Sequence, residues 1–218
     1  RWEILAICKA MLETGTRLDF MVVDGGEGGT GAAPAEFLDH VGAPLRQGLV
    51  LTRNALVGTG LKDHVRLACS GKQTSAFAIA SSMALGADWI NTARGFMFSL
   101  GCIQSLNCHN NTCPTGIATT DKGRQRGLVV ADKAERVYNF QRNTMKALME
   151  VVGAAGLEHP AELTPRHIMH RVTEDIVLPA HRAYDLLDAN VLINAPQDTK
   201  LANEWAMAQA ASFRPLNI

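Results

Sequence analysis

Three short apolar runs, each passing at once into a glycine-bearing turn, restrict this chain more than any other feature. Residues 19–23 (DFMVV) lead into 24–34 (DGGEGGTGAAP), residues 65–69 (VRLAC) into Ser70-Gly71-Lys72, and residues 87–92 (ADWINT) into Ala93-Arg94-Gly95. Short runs rich in valine, isoleucine and leucine read as strands buried in a parallel sheet. Residues 47–60 between the first two runs read as a helix closed by Gly60. A helix capped by Thr74 is expected between the second and third runs, through Leu85. Phe77, Ala80, Met83 and Ala84 would form its apolar face and Gly86 its stop. A further helix over residues 2–13, with Ile4, Leu5, Cys8, Met11 and Leu12 at helical spacing, precedes the first run and stops near Gly15. Alternation of this kind implies parallel strands with covering helices. Periodicity leaves a βα barrel and an open doubly wound sheet equally possible.

The turns carry the chemistry. Gly25, Gly26, Gly28, Gly29 and Gly31 crowd the first, so backbone amides there can approach an anion or a flat ring closely. Asp24 and Glu27 are solvated turn acids or polar contacts to a ligand. The second and third turns end consecutive strands and each offers a glycine and a cation, Lys72 and Arg94. Such turns suit one phosphate group, with residues 96–100 as the short extra helix often found beside a barrel phosphate site. The plainer reading is a pair of ordinary turns with solvated charges.

Directly afterwards come Cys102, Cys108 and Cys113, the last followed by Pro114. Thiolates are soft ligands that select zinc, copper(I) or iron–sulfur clusters. A structural zinc site wants four ligands, commonly as close pairs, and this stretch offers three at wider spacing. His109 adjoins Cys108, where chelating one tetrahedral ion with both is awkward. Cysteine followed by proline recurs in ferredoxin-type loops, and three thiolates fit a three-iron cluster or a four-iron cluster with an outside ligand. Zinc and unligated thiols stay open as alternatives. Asn110 and Asn111 are turn formers or site residues. Cys8, on an apolar helical face, and Cys69, ending a strand, read as buried apolar residues. A phosphate-bearing cofactor beside a cluster implies electron transfer, for which FMN is the natural candidate.

Composition narrows the classes. Lysine plus arginine and aspartate plus glutamate number 21 each, so no electrostatic footprint for nucleic acid follows. No apolar run approaches a membrane span, and no signal peptide opens the chain. An odd cysteine count, five, argues against a disulfide scaffold and fits a reducing, cytoplasmic compartment. The chain lacks an initiator methionine and opens inside an expected helix, which suggests a piece of a longer protein. After the cysteines the pattern turns helical. Asp132 and Glu135 suggest a capping box, and Val137, Phe140, Thr144, Leu148 and Val151 line one helical face. Thr164-Pro165 predicts a short helix to about Val172. From Thr173 onward no period is clear until a possible helix over 202–211.

These motifs resemble the glutamate synthase family, in the C-terminal part of its FMN-binding synthase barrel. The resemblance rests on Glu27-Gly28-Gly29-Thr30-Gly31-Ala32-Ala33-Pro34, on Ser70-Gly71-Lys72 and on Cys113-Pro114-Thr115-Gly116-Ile117-Ala118-Thr119. It spans roughly residues 1–157. It implies an α/β fold, the C-terminal portion of a TIM (βα)8 barrel carrying three of its strands, with a C-terminal helical extension. Residues 1–128 would be the partial barrel with the iron–sulfur loop, and residues 129–218 the extension packed on the same domain. Ser70, Gly71, Lys72, Arg94 and Gly95 would hold the FMN phosphate, and Gly28, Gly29 and Thr30 would lie near flavin and oxo acid. Cys102, Cys108 and Cys113 would ligate a [3Fe-4S] cluster. The implied reaction joins ammonia and 2-oxoglutarate to give 2-iminoglutarate, which reduced FMN converts to L-glutamate. Electrons would come from ferredoxin or a pyridine-nucleotide reductase. No catalytic residue is assigned. The chain departs from the family pattern in lacking an amidotransferase domain and the strands that begin the barrel, and in carrying Ser-Gly-Lys where double glycine is common. Unpaired strand edges would favour a homo-oligomer. The competing readings are another flavin or nucleotide barrel enzyme of IMP-dehydrogenase type, and an inert piece that keeps the fold with a structural metal loop.

Overall fold

The computed structural model describes residues 1–26, 37 and 41–217. Helix α1 (Trp2–Thr14) ends where Gly15 adopts a left-handed φ of 69° and its N–H caps the Met11 carbonyl. Strand β1 (Phe20–Asp24) follows, then α2 (Leu45–Gly58), β2 (Arg66–Ser70), α3 (Ala76–Ala84), β3 (Trp89–Asn91) and α4 (Arg94–Leu100). The three expected strands form one parallel sheet in the order β1-β2-β3. The cap of α3 is Ser75, not Thr74: its hydroxyl accepts from the Ala78 N–H at 3.2 Å. Phe77, expected on the buried face of α3, is exposed, and Ile79, Ala80 and Ala84 are buried.

Pairing places Val22, Ala68 and Trp89 in one row and Val23, Cys69 and Ile90 in the next. Side chains alternate across a strand, so adjacent rows face opposite sides. Met21, Val23, Leu67, Cys69 and Ile90 all pack into the hydrophobic core beneath α2 and α3. The opposite face is partly open: Phe20 is 54% exposed, Val22 45% and Trp89 38%, with Ala68 buried between Val22 and Trp89. Phe20 and Trp89 lie ring against ring there, with centroids 5.5 Å apart.

Asp88 fixes the register at the base of the sheet. Its carboxylate accepts from the Leu67 N–H at 2.6 Å and pairs with Lys62 at 2.9 Å and Arg66 at 3.3 Å. Burial opposes the charge on Asp88. The bonds from Lys62, Leu67 and Arg66 outweigh it and hold the carboxyl below its ordinary range.

Beyond the cysteines a short helix, α5 (Lys122–Gln125), is capped by Asp121. The long α6 (Val130–Ala154) packs on α3 and α4. Of its expected face Leu148 is buried and Val137, Phe140, Thr144 and Val151 half-buried, Val152 is buried in addition, and Asp132 sits in the first turn with Val129 as the cap. The helix predicted after Thr164-Pro165 does not form. Thr164 closes a turn with His167, and the chain then enters an antiparallel hairpin, β4 (Met169–Arg171) with β5 (Val177–Pro179). Met169 and Val177 alternate with half-buried neighbours, so period two won over the capping signal.

Short helices α7 (Ala180–Ala183), α8 (Val191–Asn194) and α9 (Ala202–Met207) complete the tail. The tail docks on α1 and α2. Asn54 donates to the Asp185 carbonyl at 2.6 Å and accepts from the Leu187 N–H at 3.0 Å. Lys9 donates to the Ala208 carbonyl at 2.8 Å and lies over the Trp205 ring. A Cβ on Gly58 would come within 2.8 Å of Leu192, so close helix packing requires glycine at that point. Among the described residues, no helix is long and apolar enough to cross a membrane.

Candidate functional site

Parallel pairing sends β1, β2 and β3 out of the sheet at the same edge. There Asp24, Ser70 and Asn91 end the strands side by side. The loops that follow are tied together. The Gly25 N–H donates to the Ser70 carbonyl at 2.8 Å, and the Thr92 hydroxyl donates to the Gln73 carbonyl at 2.5 Å. Gln73 is itself buried, donating to the Gly71 carbonyl at 3.0 Å and accepting from Ser82 at 3.2 Å. The second and third turns are therefore hydrogen-bonded to each other, with Gly71 and Lys72 in the one and Arg94 just beyond the other, where α4 opens two residues earlier than the helix expected over 96–100.

The two glycines of this unit serve different purposes. Gly71 has φ 132°, a conformation that L side chains rarely adopt, and Lys72 follows at φ 46°. A Cβ at Gly71 would also approach the Gly25 nitrogen at 3.3 Å. Gly95, one residue into α4, is buried, and a Cβ there would come within 2.8 Å of Phe140 Cζ. Phe140 packs edge-on to Phe96 across the α4–α6 contact, with centroids 5.2 Å apart. Packing alone thus accounts for glycine at 95, a contribution of α6 that the local sequence does not signal. Gly28, Gly29 and Thr30, with Glu27, lie outside the described residues.

Helix α4 ends at Gly101, in the left-handed region at φ 104°, and the cysteine loop begins. Gln104, Leu106 and Asn111 all have φ between 55° and 66°, an uncommon run of left-handed non-glycine residues. All five cysteines are free thiols. Cys8 and Cys69 are fully buried, and desolvation pushes each thiol up to about 11, as expected of inert core residues.

The other three differ. Burial, then the charges of Cys113 and Cys102, raise the Cys108 thiol. Cys113 is buried, which opposes ionisation. Hydrogen bonds from the Thr115 hydroxyl and from the backbone amides of Ala118, Thr115 and Ile117 outweigh that burial and bring the thiol down to about 7. The Thr115 hydroxyl stands 3.4 Å from Cys113 Sγ. Gly116, at φ 75°, makes the turn possible, and a Cβ on it would strike the Arg124 carbonyl at 2.2 Å. His109 is exposed on the loop.

Among the described residues, no three histidine, cysteine or acidic side chains are gathered closely enough to hold a metal ion. The three thiols are soft donors, and hydrogen bonds stabilise Cys113 as a thiolate, but they do not converge on one point in this structure. The turn unit suits a phosphate, with Gly71 in a left-handed turn, Lys72 beside it and Arg94 in the first turn of α4.

Comparison with known proteins follows the same segments. The family model described as "Conserved region in glutamate synthase" matches residues 6–158. The chain is 39% identical over 176 residues to the glutamate synthase large subunit-like protein YerD of Bacillus subtilis, covering 81% of this chain and 34% of that protein. It is 28% identical over 188 residues to ferredoxin-dependent glutamate synthase 2 of Synechocystis, covering 86% of this chain and 12% of that one. It therefore spans about a third of the first relative's length and about an eighth of the second's. Among solved structures, a flavocytochrome b2 mutant aligns with 85% of this chain and 42% of its own at a TM-score of 0.41 and 18% identity. The match across residues 6–158 takes in all three strands, both turns and the whole cysteine loop, and with it the chain belongs to the glutamate synthase family.

Proposed function

We propose that this chain is the C-terminal portion of an FMN-binding (βα)8 barrel of glutamate synthase type, which reductively aminates 2-oxoglutarate to L-glutamate. Residues 1–128 form the partial barrel and residues 129–218 the extension packed on the same domain. The observation that carries the reading is the shared edge of the parallel sheet. There the hydrogen-bonded turns at Ser70–Gln73 and Thr92–Gly95 adjoin a three-thiol loop one short helix away. Ser70, Gly71, Lys72 and Arg94 hold the FMN phosphate, with Gly95 contributing backbone. Cys102, Cys108 and Cys113 ligate the [3Fe-4S] cluster. Gly28, Gly29 and Thr30 are assigned to flavin and oxo acid on sequence alone. When bound, FMN supplies two-electron reduction of an imine and exchanges single electrons with a cluster.

The partial barrel is supported by the open sheet face. Parallel sheets are normally buried on both sides, yet Phe20, Val22 and Trp89 are uncovered opposite the helical layer. Burying such a row is worth about 25 cal/mol per Å². Other strands, from the rest of the protein or from a second copy, would gain that by closing over the row. The electron donor is a ferredoxin or a pyridine-nucleotide reductase, in a cytoplasmic setting.

The test is direct. Full-length protein given 2-oxoglutarate, ammonia and a reduced electron donor should form L-glutamate, and replacing Cys108 by serine should abolish donor-dependent turnover. Undiminished donor-dependent activity in that variant would remove the cluster from the reading.

A further inference from the structure

Gln73 stands where the second and third turns meet. It follows two consecutive residues with positive φ, 132° at Gly71 and 46° at Lys72. A lysine is uncommon in that region, and such a conformation persists only where its surroundings over-determine it. Gln73 supplies three bonds that do so. Its side-chain Nε2 folds back over Lys72 to donate to the Gly71 carbonyl at 3.0 Å. Its Oε1 accepts from the Ser82 hydroxyl on α3 at 3.2 Å. Its backbone carbonyl accepts from the Thr92 hydroxyl at 2.5 Å, and that hydroxyl lies 3.3 Å from where a Cβ on Gly95 would stand. One residue thus ties the second turn to itself, to the helix behind it and to the start of the third turn. Gln73 and Ser82 are buried, whereas Lys72 between the two bonded ends is exposed. The glutamine therefore faces the protein and the lysine faces whatever the turns bind.

We infer that Gln73 is a positioning residue that makes this site prefer a phosphorylated flavin to the bare ring. It fixes the spacing between Gly71-Lys72 and Arg94 so that both turns meet one phosphate. The inference rests on the proposed FMN site and adds a residue to it. Charge-assisted hydrogen bonds to phosphate depend on distance and direction, so loosening the tie weakens the grip on the phosphate and leaves contacts to the ring alone.

The test compares FMN with riboflavin, which differ by that phosphate. Full-length apoprotein is titrated with each, and quenching of flavin fluorescence gives the two affinities. Wild type should bind FMN about 100 times more tightly than riboflavin. Gln73→Met, which keeps the bulk and removes both side-chain bonds, should weaken FMN about tenfold and leave riboflavin unchanged. Thr92→Val, which cuts the tie from the other turn, should act in the same direction, and Thr92→Ser, which keeps the hydroxyl, should restore the preference. If Gln73→Met does not fold, the Thr92 pair decides. An unchanged preference in Gln73→Met and Thr92→Val, or an equal loss of FMN and riboflavin, overturns the positioning role alone. Wild-type protein that binds neither flavin, or both equally, overturns the phosphate site, and this inference with it.

Discussion

Gly71 and Gly95 look interchangeable in the sequence, each ending a strand beside a cation, but they are glycine for different reasons. Replacing Gly71 by alanine forces a side chain into φ 132° and should cost about 1–3 kcal/mol in urea unfolding. Replacing Gly95 by alanine drives a Cβ into the Phe140 ring, an overpacking worth about 1–3 kcal/mol that Phe140→Leu should partly relieve. Gly71→Ala combined with Phe140→Leu should show no such rescue. The first requirement was legible in the sequence, since a strand ending in Ser-Gly-Lys announces a tight turn. The second was not, because its cause lies on a helix dozens of residues later. Cys113 illustrates the same division. Its candidacy as a soft ligand can be read from spacing, whereas the hydrogen bonds that stabilise its thiolate appear only once the turn is folded. In metal-free protein the thiolate ultraviolet absorbance should gain a component near pH 7 that disappears in Cys113→Ser and moves to higher pH in Thr115→Val.

At the scale of elements, the three strands, their order along the chain and the helices between them followed from apolar runs and glycine stops. Errors gathered where a capping signal competed with something stronger. Thr164-Pro165 starts a turn into a hairpin because Ile168, Leu178 and Ala180 need a surface to bury against, and alternation serves that need. Asp88 joins sheet to charge. Its carboxyl lies below the ordinary Asp value of 3.8, so its stabilising effect is fully present above that value and is lost as pH falls through the depressed one. Asp88→Ala should therefore lower stability by about 1–3 kcal/mol near neutral pH, leaving the Leu67 N–H without its partner. The gap between wild type and variant should narrow only below pH 3.8. Asn54 has the same role for the tail. Asn54→Leu should speed hydrogen exchange at Leu187 and its neighbours far more than in α6.

Taken whole, the described residues form a helical layer and a three-stranded parallel sheet with one face partly uncovered, the turns after its strands all at one end. Neither the open face nor the thermodynamic reason for closing it depends on what the turns bind. The claim that gives the arrangement its purpose is that the turn unit and the thiol loop hold a flavin and a cluster side by side. Anaerobically isolated full-length protein should carry FMN and iron together, with flavin absorption and the spin signal of an oxidised three-iron cluster that vanishes on reduction. Colourless protein containing zinc at the three cysteines, with no flavin, would contradict it.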